Sequence, residues 1–415
     1  MSFPSSSRSS PRWLSWIRGL AVGVSVTALL GPCPMPAAEL LTRLDADPST
    51  GTSAAIVVRD ASLLFLSQLL PVNPQRQLVA PDATGQAEFL CHALRDALGD
   101  EARHRVVRLN IMTDCDESAA AVLAVLARQV EFTGGPVVTF ASGRPLIPGV
   151  KVSLDAVVAR PRAAGGIERL RNLDLAPLRQ LTAVAGAQVA REVSPGPLWF
   201  VAGQAEAGTT IAEATRKTME SLQRTLAWRQ MTFRDVVAIR SFLSPMDQAG
   251  TAGEVIAEFC DAPQTLLEWN SPGSIEIELI AARPAAQQPA NLPVEYLTPP
   301  GMNASPVFSR VASSAGPTLI FVSGLTGEPG SDATGQVTEI FTRLEGLVGR
   351  AGGNLKHLVK ATYFVSTDAA SQSLNVQRPK YYDPARPPSA SKAPVTGVGL
   401  PGRQLTVDMI AVPAP

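Results

Sequence analysis

Asp82-Ala83-Thr84-Gly85-Gln86 recurs unchanged as Asp332-Ala333-Thr334-Gly335-Gln336, and each copy opens a helical pattern. In the later copy Val337, Ile340, Phe341, Leu344, Leu347 and Val348 fall on one apolar stripe of period 3.6, and Gly352-Gly353 ends it. The earlier copy carries Ala87, Leu90, Leu94 and Leu98, and a stretch between the two carries Ile211, Ala214, Met219, Leu222 and Leu226. Three amphipathic helices of one kind are therefore predicted in one chain.

The same neighbours surround each helix. An apolar strand precedes it, at Leu64-Phe65-Leu66-Ser67-Gln68, Trp199-Phe200-Val201-Ala202-Gly203 and Ile320-Phe321-Val322-Ser323-Gly324. Another follows, in residues 105–111, 235–241 and 357–363, and an alternating strand closes each unit in residues 152–157, 275–280 and 405–410. Alternation of this kind marks a sheet with one buried face. The order occurs three times at an offset of roughly 120–135 residues, the signature of an internal repeat. The reading is three α+β units, at 45–160, 180–283 and 292–415, the first two degenerate and the third best preserved. The Ala- and Pro-rich stretches 160–196 and 283–317 are read as linker plus the first strand of the following unit.

Residues 1–38 differ from the rest. Arg8, Arg12 and Arg18 precede the apolar run 19–30 (GLAVGVSVTALL), and the small residues Ala37 and Ala38 follow. Positive, apolar and small residues in this order form a secretory signal, and the mature chain is expected to begin near Glu39, in the periplasm or outside the cell. The run is short for a permanent membrane span, so a cleaved signal is favoured over an uncleaved anchor, and no membrane association is expected after cleavage. Formal net charge is zero among 415 residues, which gives no electrostatic support to nucleic-acid binding. The three histidines lack a neighbouring Cys or His at a ligand spacing, so no metal is expected. Of the four cysteines, Cys91, Cys115 and Cys260 follow the signal; three is no disulfide framework, and Cys91 is read as a core residue.

The third unit resembles the RidA (YjgF/L-PSP) family. The likeness rests on residues 320–324 (IFVSG), the helix, Val365-Ser366-Thr367-Asp368, Asn375, Tyr381-Tyr382, Pro384-Ala385-Arg386-Pro387 and residues 405–411 (LTVDMIA), in that order. The resemblance implies a chorismate-mutase-like α+β fold that trimerises with sheets inside, helices outside and clefts between protomers. Three units in one chain would then close an intrachain pseudo-trimer. It also implies hydrolysis of enamines or imines of small carboxylic acids, without a cofactor.

Carried over residue by residue, the resemblance implies binding roles for Ser323, Asn375 and Phe308. The anion-binding cation is Arg386 by local context or Lys392 by spacing from the last strand. The family glutamate that activates water falls at Thr406 in unit three, with Asp408 the next acidic position, and at Glu276 in unit two, where no cation accompanies it. Unit one has Ser153 and no cation. The resemblance draws both groups from one unit, so no unit is expected to hold a complete site. Glu276 and Asp408 are the catalytic candidates. Two function classes follow: a deaminase-type hydrolase, or a catalytically silent carboxylate-binding or scaffold module. An endoribonuclease reading is least favoured, since basic patches are lacking.

Overall fold

Alternating and wholly apolar runs become the strands of three six-stranded sheets, each completed by chain from a different unit. The computed structural model describes residues 39–103, 105–129, 135–162, 169–271, 274–282 and 292–415. The expected signal segment lies outside the described residues.

The first stretch supplies β1 (Leu41–Asp47), β2 (Thr52–Val58), β3 (Ser62–Leu66), α1 (Ala83–Arg103), β4 (Val106–Thr113), α2 (Asp116–Arg128), β5 (Val137–Ser142) and β6 (Val152–Arg160). The second supplies β7 (Leu170–Leu173), α3 (Ala176–Arg179), β8 (Ala190–Val193), β9 (Leu198–Gln204), α4 (Ile211–Ala227), β10 (Val236–Leu243), α5 (Ala249–Phe259), β11 (Gln264–Glu268) and β12 (Ile275–Ala282). The third supplies β13 (Val294–Leu297), β14 (Val311–Ser314), β15 (Leu319–Thr326), α6 (Ala333–Arg350), β16 (Leu358–Val365), α7 (Asp368–Tyr381), β17 (Ser389–Pro394) and β18 (Leu405–Ala411).

The sheets run β5-β4-β6-β3-β8-β7, β11-β10-β12-β9-β14-β13 and β17-β16-β18-β15-β2-β1. The order is the same three times, but the last two strands of each sheet are borrowed. Hairpin β7–β8 completes the first sheet, β13–β14 the second and β1–β2 the third. The stretches read as starting the following unit therefore supply the preceding sheet. The chain crosses between sheets in a few residues, as at Arg59-Asp60-Ala61 between β2 and β3. Val58, Ala61 and Leu63 around this corner are all buried in one central cluster. A strand bent across a sheet corner buries side chains on both sheets, which offsets the loss of a local hairpin.

That cluster draws on all three sheets: Ile56, Phe65, Val157, Phe200, Val237, Ala312, Phe321 and Ile410 belong to it. Phe65, Phe200 and Phe321 hold the same register, opposite Val157, Ile280 and Ile410. Helices cover the other faces. Leu90, Cys91 and Leu94 of α1 pack on the first sheet, Met219 and Leu222 of α4 on the second, and Ile340, Phe341 and Leu344 of α6 on the third.

The repeated pentapeptide has a shared task. Asp332 caps α6 by accepting from Gly335 N at 2.7 Å, and Asp82 accepts from Gly85 N at 2.9 Å. Gln336 donates to Gly402 O and accepts from Gln404 N, while Gln86 donates to Gly149 O and accepts from Lys151 N. Each glutamine thus ties a helix start to the loop entering the closing strand.

Candidate active site

The sheets meet along three seams in which one sheet's inner strands face the parallel edge strand of the next. β3 and β6 face β11, β9 and β12 face β17, and β15 and β18 face β5. Sheet register makes the seams comparable. Ser153, Glu276 and Thr406 stand at one position, opposite Met112, Phe242 and Phe364. Phe140, Leu266 and Lys392 share a second, opposite Ile111, Ser241 and Tyr363. Gln68, Gly203 and Gly324 share a third, two residues after Leu66, Val201 and Val322.

The first seam is closed by Gln68, whose amide donates to Ser153 Oγ at 3.0 Å and accepts from Leu266 N at 2.9 Å. Only ≈ 20 Å³ is left there. In the third seam Ser323 Oγ donates to Val138 O at 2.9 Å. A Cβ on Gly324 would stand 2.8 Å from Thr406 Oγ1 and 2.9 Å from Thr139 Cα, so little space separates the two sheets.

The second seam opens into a cleft of ≈ 580 Å³, within the range of small-molecule sites. Gly203, Glu276, Phe308, Arg310, Arg378, Ser391 and Lys392 line it, and Glu206, Met302 and Asn303 flank them. Gly203 has no side chain to fill the space that Gln68 fills in the first seam. Its N–H donates to Ser391 Oγ at 3.1 Å. Burial, and then the neighbouring Glu278, push Glu276 up to about 7 against the opposing pull of Ser391 and Lys360. Lys392 is lowered by burial and by Arg378, and its Nζ donates to Ser371 Oγ at 2.9 Å and to Asn375 Oδ1 at 3.4 Å.

Glu276, Lys392, Phe308 and Asn375 are therefore brought together, although Glu276 comes from the second sheet and Lys392 from the third. A site read within single units looked incomplete because its walls belong to two. Ser323 stands elsewhere: β15 and β17 are separated by two strands, so Ser323 faces the third seam and Lys392 the second. Arg386 is exposed on the loop after α7, 4.0 Å from Asp383, and lines no part of the cleft.

Asp408 also lies outside the cleft. With Asp155 and Glu278 it holds one register position on the closing strands, where the carboxylates meet Arg108, Arg240 and Lys360. Asp408 Oδ2 is 3.5 Å from Arg108 and 3.9 Å from Arg240, and Lys360 binds Glu278 at 2.5 Å. Burial opposes the charge on Arg240, but Asp155, Glu278 and Asp408 together hold its pKa above the usual value. A ≈ 40 Å³ cavity lies among these groups. Among the described residues no cluster of His, Cys, Asp and Glu suits a metal ion, and no helix is long and apolar enough to cross a membrane.

Arg310 and Arg378 went unassigned in the sequence. Signals existed: Arg378 is one turn beyond Asn375 on α7, and Arg310 is two residues beyond Phe308.

No family model and no curated protein matches the chain. Solved structures do. A YjgF-family protein from Neisseria meningitidis is similar at 18% identity and TM-score 0.23, over 29% of this chain and 96% of its own. A Rid-family protein from Yersinia pestis is similar at 17% identity and TM-score 0.27, over 29% of this chain and 99% of its own. RidA from an Antarctic Psychrobacter is similar at 19% identity and TM-score 0.21, over 23% of this chain and 80% of its own. The chain itself has three sheets of one strand order.

Proposed function

We propose that the cleft between β9, β12 and β17 binds a small carboxylic acid and hydrolyses its imine or enamine to the keto acid and ammonia. One observation carries this reading: a carboxyl group poised near pH 7, Glu276, faces the same ≈ 580 Å³ cleft as Lys392. The other two seams have Ser153 with Leu266 and Thr406 with Phe140 at these positions.

Lys392 anchors the substrate carboxylate through a charge-assisted bond, which fixes the imine carbon against Glu276. Ionised Glu276 takes a proton from water as its oxygen bonds to the imine carbon, and the C=N bond becomes a C–N bond. Protonated Glu276 then returns that proton to nitrogen to give the carbinolamine, and the C–N bond breaks as the hydroxyl proton passes through Glu276 to the departing nitrogen, so that ammonia leaves and a carbonyl remains. A group near pH 7 serves both steps because neither protonation state is scarce. The imine carbon is already electrophilic, so these steps call on side chains and water alone.

The shared strand order and the three successive seams support reading the chain as an intrachain pseudo-trimer. Arg8, Arg12 and Arg18 before the apolar run support export. The deciding experiment supplies the mature chain with imino acids generated in place by an amino-acid oxidase and follows ammonia and keto-acid release. Wild-type turnover that is lost in Glu276→Gln and Lys392→Ala is expected. Equal rates in wild type, variants and buffer would overturn the reading.

A further inference from the structure

Lys392 is one of three cations in the cleft, and a monocarboxylate occupies only one. Arg378 stands on α7 with its guanidinium 5.6 Å from the Tyr363 ring centre, and its Nε is buried without a hydrogen-bond partner. It is near enough to Lys392 to depress that amine. Arg310 belongs to the opposite wall, stacked on Phe308 at 4.9 Å with its Nε donating to Asn303 O at 3.2 Å. Among the described residues, none of the three lies within ion-pair distance of a carboxylate. The carboxylates lining the cleft are Glu206, which is exposed, and Glu276, which is half protonated near neutrality. Three cations thus face two carboxyl groups, and the positive surplus is one with Glu276 ionised and two with it protonated.

We infer that the ligand of this cleft is a dicarboxylate, with one carboxylate on Lys392 and Arg378 and the second on Arg310. This deepens the proposed function, whose site it shares. Gathering three like charges on two walls costs repulsion that a dianion, with a carboxylate for each wall, relieves more fully than a monoanion does. Arg310 is suited to the distal carboxylate, because its stack on Phe308 holds the planar guanidinium fork in place.

Calorimetry on the full chain tests this with propionate and 2-oxobutyrate against succinate and 2-oxoglutarate. Dicarboxylates are expected to bind at least tenfold more tightly. Arg310→Gln, which keeps a polar side chain beside Phe308 but is shorter and uncharged, is expected to bring them down toward the monocarboxylate level, with a several-fold smaller effect on monocarboxylates. Lys392→Ala is expected to weaken both classes. Near-ultraviolet circular dichroism matching wild type confirms that each variant is folded. Equal affinity for the two classes, or a preference that survives Arg310→Gln, overturns the inference and leaves the proposed function standing. Binding of neither class overturns both.

Discussion

Gly203 and Glu276 compete for one volume: a Cβ on Gly203 would stand 2.5 Å from Glu276 Cγ and nearer still to the carboxylate. The carboxylate keeps its place in the cleft only because residue 203 has no side chain. Gln68, at the matching position of the first seam, fills that volume and hydrogen-bonds Ser153, which stands where Glu276 does. An open seam and a closed one thus differ by a paired exchange, glycine with glutamate against glutamine with serine.

Gly203→Ala should displace Glu276 from the wall. The expected cost is about 1–3 kcal/mol of stability from overpacking, with loss of imine hydrolysis and of the ionisation near pH 7. Denaturant titration and the pH profile of kcat/KM check the two effects. An unchanged pH profile would show that the carboxylate does not depend on this glycine.

Gln68→Ala should destabilise the chain by about 1–3 kcal/mol, because Ser153 Oγ and Leu266 N would be left without their partner in a buried seam. Carboxylate binding at the second seam should not move. Denaturant midpoints and calorimetry on one preparation read both quantities.

Glu276 gives stability a signed dependence on pH. Its folded-state pKa of about 7 lies above the ordinary glutamate value, so between them the folded chain holds the extra proton. Stability from this group is full below about pH 4.5 and falls as pH rises to about 7. Glu276→Gln removes the penalty. Its stability relative to wild type should climb across that window by up to about 3 kcal/mol, at about 1.4 kcal/mol per pKa unit. Urea melts of both proteins at pH 4.5, 6 and 8 measure the slope, and a flat difference would refute it.

Much of this was legible in the sequence. The repeated pentapeptide, the period-3.6 stripe of Val337 to Val348 and the alternating closing strands each report a local burial pattern, and local patterns survive in the sequence. Strand partnership does not. Thr52–Val58 reads as a buried strand whichever neighbour it pairs with, so its place beside β15, some 260 residues away in sequence, was invisible. The site suffered likewise. Glu276 and Lys392 were each singled out, but their meeting depends on a seam between sheets. Ser323 was grouped with Lys392 because both lie in unit three, although the sheet points them to different seams.

The exchanged hairpins bind the three units to one another. Residues 292–415 alone would carry β13–β14 without the second sheet to receive it, and would leave β15 an open edge where β2 belongs. Such a fragment should be unfolded or self-associating. Adding the peptide 39–60 in trans should pair with β15 and raise the helical circular dichroism signal. A fragment that is monomeric and cooperatively folded without the peptide would contradict the exchange.

Asp408 tests the proposed assignment of the catalytic carboxylate to Glu276. It is 2% exposed and lies beside Arg108 and Arg240, and neither of its oxygens has a hydrogen-bond partner. Its contribution is charge. Asp408→Asn keeps the shape and removes the charge, leaving two buried guanidinium groups less compensated. Breaking a buried pair of this kind typically costs about 3–5 kcal/mol. Asp155 and Glu278 still face Arg240, so the loss should fall toward the lower end of that range. At temperatures where the variant remains folded, carboxylate affinity and imine hydrolysis should match wild type, since Asp408 is not among the residues lining the cleft. Thermal melts with calorimetry on the folded variant check both halves. Abolished turnover at unchanged stability would move the catalytic carboxylate from Glu276 to Asp408.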